Sequence, residues 1–129
     1  MPRFAANLSM LFTEAPLLER FERAARAGFT TVELQFPYEL PAKDLQQALF
    51  RNKLSLVLFN LPAGDWAAGE RGIACHPDRV EEFRKSVDTA LAYAAALGTL
   101  QLNCLAGIQP AQVPVDTARR VLVDNLRFA

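Results

Sequence analysis

The sequence predicts an α/β fold built from parallel βα units, and two observations lead to this prediction. Short apolar runs alternate with longer segments of helical period, and the alternation occurs four times along the 129 residues. The third run, residues 54–59, is almost wholly apolar, as expected of a strand buried on both faces of a parallel sheet. No linker or low-complexity segment interrupts the pattern, so we expect residues 1–129 to form a single domain.

The first two units each join a β-rich run to a helix. Strand Phe4–Leu8 leads into a helix with Thr13 as the expected N-cap, Gly28 as the C-terminal stop, and an apolar face of Leu17, Phe21, Ala24 and Ala25. Strand Thr31–Phe36 is closed by Pro37 and precedes a helix over Lys43–Asn52, whose apolar face holds Leu45, Ala48 and Leu49.

The third unit contains the clearest helix. Strand Leu54–Phe59 is followed by a long loop, Leu61–Pro77, and then by apolar residues at steps of three and four: Val80, Phe83, Val87, Leu91, Ala94 and Leu97. Three acidic residues lie at the positive end of this helix: Asp78, Glu81 and Glu82. Gly98 is the predicted end of the helix.

The fourth unit is less regular. In strand Thr99–Leu105 we expect one apolar face, made of Leu100, Leu102 and Cys104, and in the last helix an aligned set of Val115, Ala118, Leu122 and Leu126. A closed eight-unit barrel needs about 250 residues. Four strands alone would leave two unpaired sheet edges.

Composition narrows the class of partner. Fourteen basic and fourteen acidic residues give a formal net charge of zero, which argues against nucleic acid and anionic membrane surfaces as ligands. No segment resembles a membrane span or a secretory leader. Two cysteines without a CxxC spacing and one histidine predict neither a disulfide framework nor a zinc site. We expect a cytoplasmic protein with reduced thiols and a small neutral or mildly acidic ligand.

Several stretches resemble hydroxypyruvate isomerases, which are xylose-isomerase-like TIM barrels. The most specific is the run from Leu58 to Ala74, which contains Asn60-Leu61-Pro62-Ala63-Gly64-Asp65-Trp66 and Glu70-Arg71-Gly72. A second stretch is Arg3–Phe12, at the first strand. A third, around the second strand, consists of Gly28-Phe29, Val32-Glu33-Leu34 and Phe36-Pro37-Tyr38. The last two are Asn103–Gly107 in the fourth strand and Asn125–Ala129 in the fourth helix. The resemblance implies that residues 1–129 are an incomplete (β/α) barrel domain, about four of eight units.

Two details qualify the resemblance. Relatives often have Pro-Gly-Arg before the third helix, where this chain has Pro77-Asp78-Arg79, which removes a hinge glycine. The sibling 2-oxo-tetronate isomerases share the opening segment and Phe36-Pro37-Tyr38, so only the run from Asp65 to Ala74 favours hydroxypyruvate isomerase.

The resemblance also implies a reaction in glyoxylate metabolism. Hydroxypyruvate and 2-hydroxy-3-oxopropanoate interconvert when a proton moves between adjacent carbons through an enediol, which requires an acid/base pair and stabilisation of an oxyanion. In the family two glutamates on strands of the second half move the proton, and related sugar isomerases and epimerases hold a divalent metal there. We therefore expect no catalytic residue and no metal ligand in this chain, and a truncated chain without activity.

The substrate-binding candidates are then the strand ends, where barrels build their sites. Asn7, Asn60 and Asn103 each lie near the C-terminal end of a strand. Their amides either hydrogen-bond substrate oxygens or bond the adjacent loop backbone. Glu33 lies among apolar strand neighbours and needs a partner, either a substrate or, as a structural acid, a basic core residue.

The long third loop supplies two further candidates. Arg71 is a candidate to bind the substrate carboxylate. Alternatively, it forms an ion pair within the loop with its neighbour Glu70 or is a solvated charge. Trp66 acts either as a lid over the site or as an anchor of the loop. We interpret His76 as a helix-cap or surface residue, and Cys75 and Cys104 as small core residues.

Two alternatives remain open. One is a 2-oxo-tetronate isomerase or a sugar-epimerase-like relative, which assays on both substrates would distinguish. The other is a non-catalytic half-barrel that binds a small ligand or forms a homo-oligomer through its open strand edges. A nucleic-acid role, which the similar barrel of endonuclease IV suggests, is disfavoured by the zero net charge.

Overall fold

Strands and helices alternate along the chain in the predicted order. The computed structural model describes residues 2–129. The strands are β1 (Ala6–Asn7), β2 (Thr31–Glu33), β3 (Ser55–Asn60) and β4 (Leu102–Asn103). The helices are α1 (Leu17–Arg26), α2 (Ala42–Asn52), α3 (Val80–Leu97), which follows a 3₁₀ turn at Pro77–Arg79, and α4 (Val115–Phe128).

The strands form one sheet in the order β1-β2-β3-β4. β1 pairs parallel with β2, with Asn7 opposite Glu33, and β2 pairs parallel with β3. A β-bulge between Val32 and Glu33 places Glu33 opposite Leu58, so β3 contributes one extra residue to the pairing. The predicted α/β fold of parallel βα units is confirmed. Sequential strands are neighbours, so the residues that end β1 and β2 lie side by side.

Contacts divide the chain into two compact units. The first contains residues up to Phe59 together with Ala92–Leu102. Its core includes Phe21, Leu45 and Phe59, each fully buried. Burial, and secondarily the neighbouring Tyr93, raises the pKa of Tyr38, whose ring packs edge-on against Phe59 at 6.1 Å. Tyr38 is therefore a neutral packing residue near pH 7.

The second unit contains Asn60–Leu91 and Asn103–Ala129. A cluster of Cys75, Val113 and Ala118, with Leu122 against it, forms part of its core. Asn125 is only 2% exposed and donates its amide to the carbonyl of Ala74 at 2.8 Å. That a buried asparagine would tie α4 to the third loop was not predicted, because helical period marks only apolar faces. The single-domain organisation of residues 1–129 stays a prediction.

Four local expectations were wrong. Thr13 caps no helix, because α1 begins after Pro16 without a side-chain cap bond. Leu100 is 96% exposed, because β4 contains only Leu102–Asn103 and the expected strand alternation does not reach Leu100. Leu91 is also exposed, because the buried stripe of α3 passes through Ala90, one residue earlier. The aligned face of α4 is buried only in part, since Val115 and Leu126 lie at its outer ends.

Candidate functional site

A hydrogen-bonded pair ends the first two strands. Asn7 Nδ2 donates to Glu33 Oε1 at 2.7 Å, and Asn7 Oδ1 accepts the N–H of Ser9 at 3.0 Å. The pair forms because β1 and β2 are in register at these two residues. The structural interpretation of Glu33 expected a basic partner; the partner is an amide, and the carboxylate is half-buried rather than buried. Both residues therefore present polar atoms at the strand ends.

Two neighbouring polar residues, Ser9 and Gln35, were not predicted from the sequence. Ser9 Oγ accepts the N–H of Gln35 at 2.9 Å, which joins the segments that follow β1 and β2. The available signal was their position, since both residues come two places after a strand ends. Their bond fixes the two segments to each other beside Asn7 and Glu33.

A second pair ends the third and fourth strands. Asn103 Nδ2 donates to Asn60 Oδ1 at 2.9 Å, and the Asn103 carbonyl accepts the N–H of Leu61 at 2.9 Å. The three predicted asparagines therefore all lie at strand ends, as expected, and their side chains bond other side chains at consecutive strand ends. Their contact with substrate stays a prediction.

Trp66 and Arg71 contact each other in the third loop. The Arg71 guanidinium carbon lies 3.9 Å from the centre of the indole ring, and Nη1 donates to the carbonyls of Trp66 at 3.2 Å and Glu70 at 2.6 Å. This is a cation–π geometry. Arg71 also lines an open cavity of about 160 Å³ together with Gly69, Gly72, His76, Ile108 and their neighbours.

The carboxylate of Glu70 does not neutralise Arg71. It pairs with Arg79 instead and accepts the N–H of Asp65 at 2.5 Å. The hydrogen bond from Arg79 is the main cause that holds the pKa of Glu70 below its usual value. Among residues 2–129 no acidic side chain forms an ion pair with Arg71, so its positive charge is available to an anion. Sequence reasoning considered Arg79 only within Pro77-Asp78-Arg79 and did not predict its ion pair with Glu70.

His76 and the cysteines serve the structure. His76 Nε2 lies 2.9 Å from the carbonyl of Ile108, and the side chain makes no cap bond to the 3₁₀ turn that follows it. The sulfur of Cys75 is buried and that of Cys104 is half-buried. Burial raises the pKa of both thiols, which disfavours the reactive thiolate.

The described residues do not fit a metal. Within residues 2–129 no three His, Cys, Asp or Glu side chains are grouped closely enough to hold an ion. The single carboxylate at the strand ends, Glu33, has an amide as its neighbour. In the same part of the chain no helix is long and apolar enough to cross a membrane.

A larger cavity is lined by none of the candidate residues. It measures about 500 Å³ and is lined by Arg3, Lys53, Thr31, Ser55 and others. Thr31 and Ser55 begin β2 and β3, so this cavity is at the N-terminal ends of the strands. Parallel barrels build their active sites at the opposite ends, where Glu33 and Asn60 lie.

Comparison with known proteins adds relatives of two activities. Hydroxypyruvate isomerase of Escherichia coli (strain K12) is 55% identical over the whole chain, which covers 50% of that protein. A 2-oxo-tetronate isomerase of Pectobacterium atrosepticum is 50% identical over the whole chain and 49% of its own length. The chain thus spans about half the length of these relatives.

Solved structures agree on the fold. AP endonuclease, family 2, from Brucella melitensis superposes with a TM-score of 0.96 at 48% identity, over 99% of this chain and 49% of that one. A sugar phosphate isomerase/epimerase from Parabacteroides distasonis, at 14% identity, shares the fold with a TM-score of 0.68, over 98% of this chain and 45% of that one. The predicted resemblance to hydroxypyruvate isomerases and the predicted half of a TIM barrel are both confirmed.

The family of the chain is identified by a match to a protein-family model. The model of the xylose isomerase-like TIM barrel matches residues 21–129, which is most of the chain. Together with four parallel strands clad in helices, this match establishes that the chain belongs to the xylose isomerase-like TIM barrel family.

Proposed function

We propose that this chain is the substrate-binding half of an aldose–ketose isomerase that interconverts hydroxypyruvate and 2-hydroxy-3-oxopropanoate. The observation that carries the proposal is Arg71, an exposed guanidinium without a carboxylate partner among residues 2–129, at a cavity rimmed by Gly69 and Gly72. Guanidinium and carboxylate match in a two-pronged geometry, and the substrate is a carboxylate. The E. coli relative that is a hydroxypyruvate isomerase supports this choice of substrate.

The strand-end asparagines are separate candidates for substrate contacts. One amide hydrogen of Asn7 bonds Glu33 and one of Asn103 bonds Asn60, which leaves each amide a second hydrogen for a substrate oxygen. Such donors would stabilise an oxyanion that develops on the enediol. We assign the proton transfer itself to carboxylates outside these 129 residues.

A second candidate substrate is a 2-oxo-tetronate. Relatives with that activity are 50% and 46% identical to the chain, so sequence identity separates the two substrates weakly. Both substrates carry the carboxylate that Arg71 would bind. They differ in the length of the hydroxylated tail, so a direct comparison of binding decides between them.

Calorimetric titration of the 129-residue chain tests the proposal. We expect hydroxypyruvate to bind and Arg71→Gln to weaken binding by about tenfold or more, because hydrogen bonds to a charged group are worth about 1.5–3 kcal/mol. Arg119→Gln, an exposed arginine of α4, is the matched control and should bind like the wild type. Hydroxyacetone, which lacks the carboxylate, should not distinguish Arg71→Gln from the wild type. Equal affinity of Arg71→Gln and wild type for hydroxypyruvate contradicts the proposal, and tighter binding of 2-oxo-tetronate favours the second substrate.

A further inference from the structure

The segment from Gly64 to Gly72, here called the Trp66 loop, carries both Trp66 and Arg71 on the surface. Its residues are exposed except for Glu70 and Gly72, and Trp66 itself is 40% exposed. Within the loop, the N–H of Gly69 donates to the Trp66 carbonyl at 3.1 Å, and that of Glu70 to the Asp65 carbonyl at 3.0 Å. These bonds close the loop on itself but do not tie it to a helix.

The C-terminal end of the Trp66 loop is fixed through its backbone. Gly72 donates its N–H to the Ala63 carbonyl at 3.0 Å and forms an antiparallel bridge with Ala106. A side chain at Gly72 would collide with the carbonyl of Leu105, so the two backbones approach as closely as glycine allows. Backbone contacts therefore hold the C-terminal end of the Trp66 loop in place.

In the rest of the Trp66 loop, Asp65 Oδ1 accepts the N–H of Ala68 at 3.0 Å, and the side chain of Glu70 reaches beyond the loop. The carboxylate of Glu70 accepts the N–H of Asp65 and pairs with Arg79, which ends the 3₁₀ turn before α3. The carboxylate also lies directly over Gly64, where a Cβ atom would collide with Oε2. Glu70 thus joins the beginning of the loop to the start of a helix.

We propose that Glu70 and Arg79 are positioning residues: their ion pair holds the Trp66 loop in the conformation that stacks Arg71 on Trp66 and turns its guanidinium to the cavity. Among residues 2–129, Arg71 donates only to the backbone carbonyls of Trp66 and Glu70, so its orientation follows the path of the loop. A binding group held in advance loses less freedom when it binds. The consequence for substrate affinity rests on the proposed function, whereas the consequence for the loop does not.

Arg79 supplies an internal control because it has two carboxylate partners. Its Nε also donates to Glu82 Oε2 at 2.7 Å, a bond between the 3₁₀ turn and α3 that does not involve the Trp66 loop. Glu82→Gln removes one ion pair of Arg79 and leaves the loop bond. Glu70→Gln removes the other and releases the loop. If Arg79 had a merely structural role, Glu70→Gln and Glu82→Gln would have the same effect on the Trp66 loop.

Trp66 is the only tryptophan of the chain, so its fluorescence reports on the loop directly. Without any ligand, we expect Glu70→Gln to increase acrylamide quenching of Trp66 and to shift its emission, while Glu82→Gln leaves both as in the wild type. With hydroxypyruvate, Glu70→Gln should lose about tenfold in affinity, the order expected for a misplaced binding group. The affinity for hydroxyacetone should be unchanged.

Each outcome decides the proposal. Equal quenching of Trp66 in Glu70→Gln and Glu82→Gln overturns it, whether or not hydroxypyruvate binds. Failure of the wild type to bind hydroxypyruvate overturns the proposed function alone, because quenching still reports the loop. Arg79→Gln offers a second route if Glu70→Gln does not fold: it should reproduce the quenching increase, and the double variant should exceed neither single variant.

Discussion

At the residue scale, polar side chains at the strand ends satisfy one another. Asn7 bonds Glu33, and Asn103 bonds Asn60, each across two consecutive strands of the sheet. Parallel pairing makes such bonds possible, because the C-terminal ends of neighbouring strands lie at the same edge of the sheet. Glu70 and Arg79 show the same behaviour in the third loop, where charge selects the partner.

The charge of Glu70 should make stability depend on pH. The hydrogen bond from Arg79 lowers the folded-state pKa of Glu70, so the folded chain binds fewer protons than the unfolded chain as the pH falls. The stabilisation is complete above the unfolded pKa of about 4.3 and is lost as the pH falls through the folded value. Glu82 and His76 also interact electrostatically with Glu70.

Urea unfolding of the wild type and Glu70→Gln between about pH 7 and pH 3 measures this effect. The wild type should be the more stable at neutral pH, and the two curves should converge in acid. Curves that stay parallel over the whole range would show that Glu70 does not contribute through its charge.

At the element scale, helix α3 buries a narrow stripe. Phe83, Val87 and Ala90 lie on it with at most 4% exposure, whereas Leu91 is 51% exposed. Steps of three and four from Phe83 reach either Ala90 or Leu91, so periodicity alone admits both. Packing selects the smaller residue, as close contact between elements often does.

Truncation of the buried and the exposed residue should therefore differ. Phe83→Ala removes a fully buried ring and should reduce the free energy of unfolding by about 3–5 kcal/mol. Leu91→Ala, on the same helix, should change it by about 0.5 kcal/mol or less. Chemical denaturation of both variants checks the difference, and similar losses would place Leu91 in the core.

The glycines of the Trp66 loop allow a second comparison. Gly69 and Gly72 both have positive φ, +94° and +109°, but only Gly72 faces backbone atoms where a side chain would be. Gly69→Ala should lose about 1–2 kcal/mol, the strain of an L-residue in this region. Gly72→Ala should lose more and should also expose Trp66 to acrylamide. Equal effects in thermal unfolding would mean that the loop can move away from Leu105.

At the scale of the whole molecule, the main feature is that the chain spans about half the length of its relatives. The chain matches about half of a hydroxypyruvate isomerase of E. coli at 55% identity. β1 and β4 end the order of the sheet, and each is only two residues long. Short edge strands limit, but do not remove, the tendency to pair with another chain.

Complementation tests the assignment of chemistry to the second half. We expect the purified 129-residue chain not to isomerise hydroxypyruvate, and activity to appear when the remaining half of the E. coli relative is added as a separate polypeptide. Arg71→Gln should reduce the reconstituted activity, and Arg119→Gln should not. Substantial turnover by the 129-residue chain alone would place catalytic groups within it. Sedimentation at several concentrations would show in parallel whether the chain self-associates.

The sequence by itself determined the α/β class, the order of eight elements, the strand-end asparagines and the family. These features are local: alternation, helical period and a run such as Asn60–Ala74 are readable without contacts. Only the tertiary structure decided that Glu70 faces Arg79 and not Arg71, that Glu33 meets Asn7, and that Ala90 is buried in place of Leu91. Pairings of this kind depend on residues that folding brings together, and local periodicity carries no information about them.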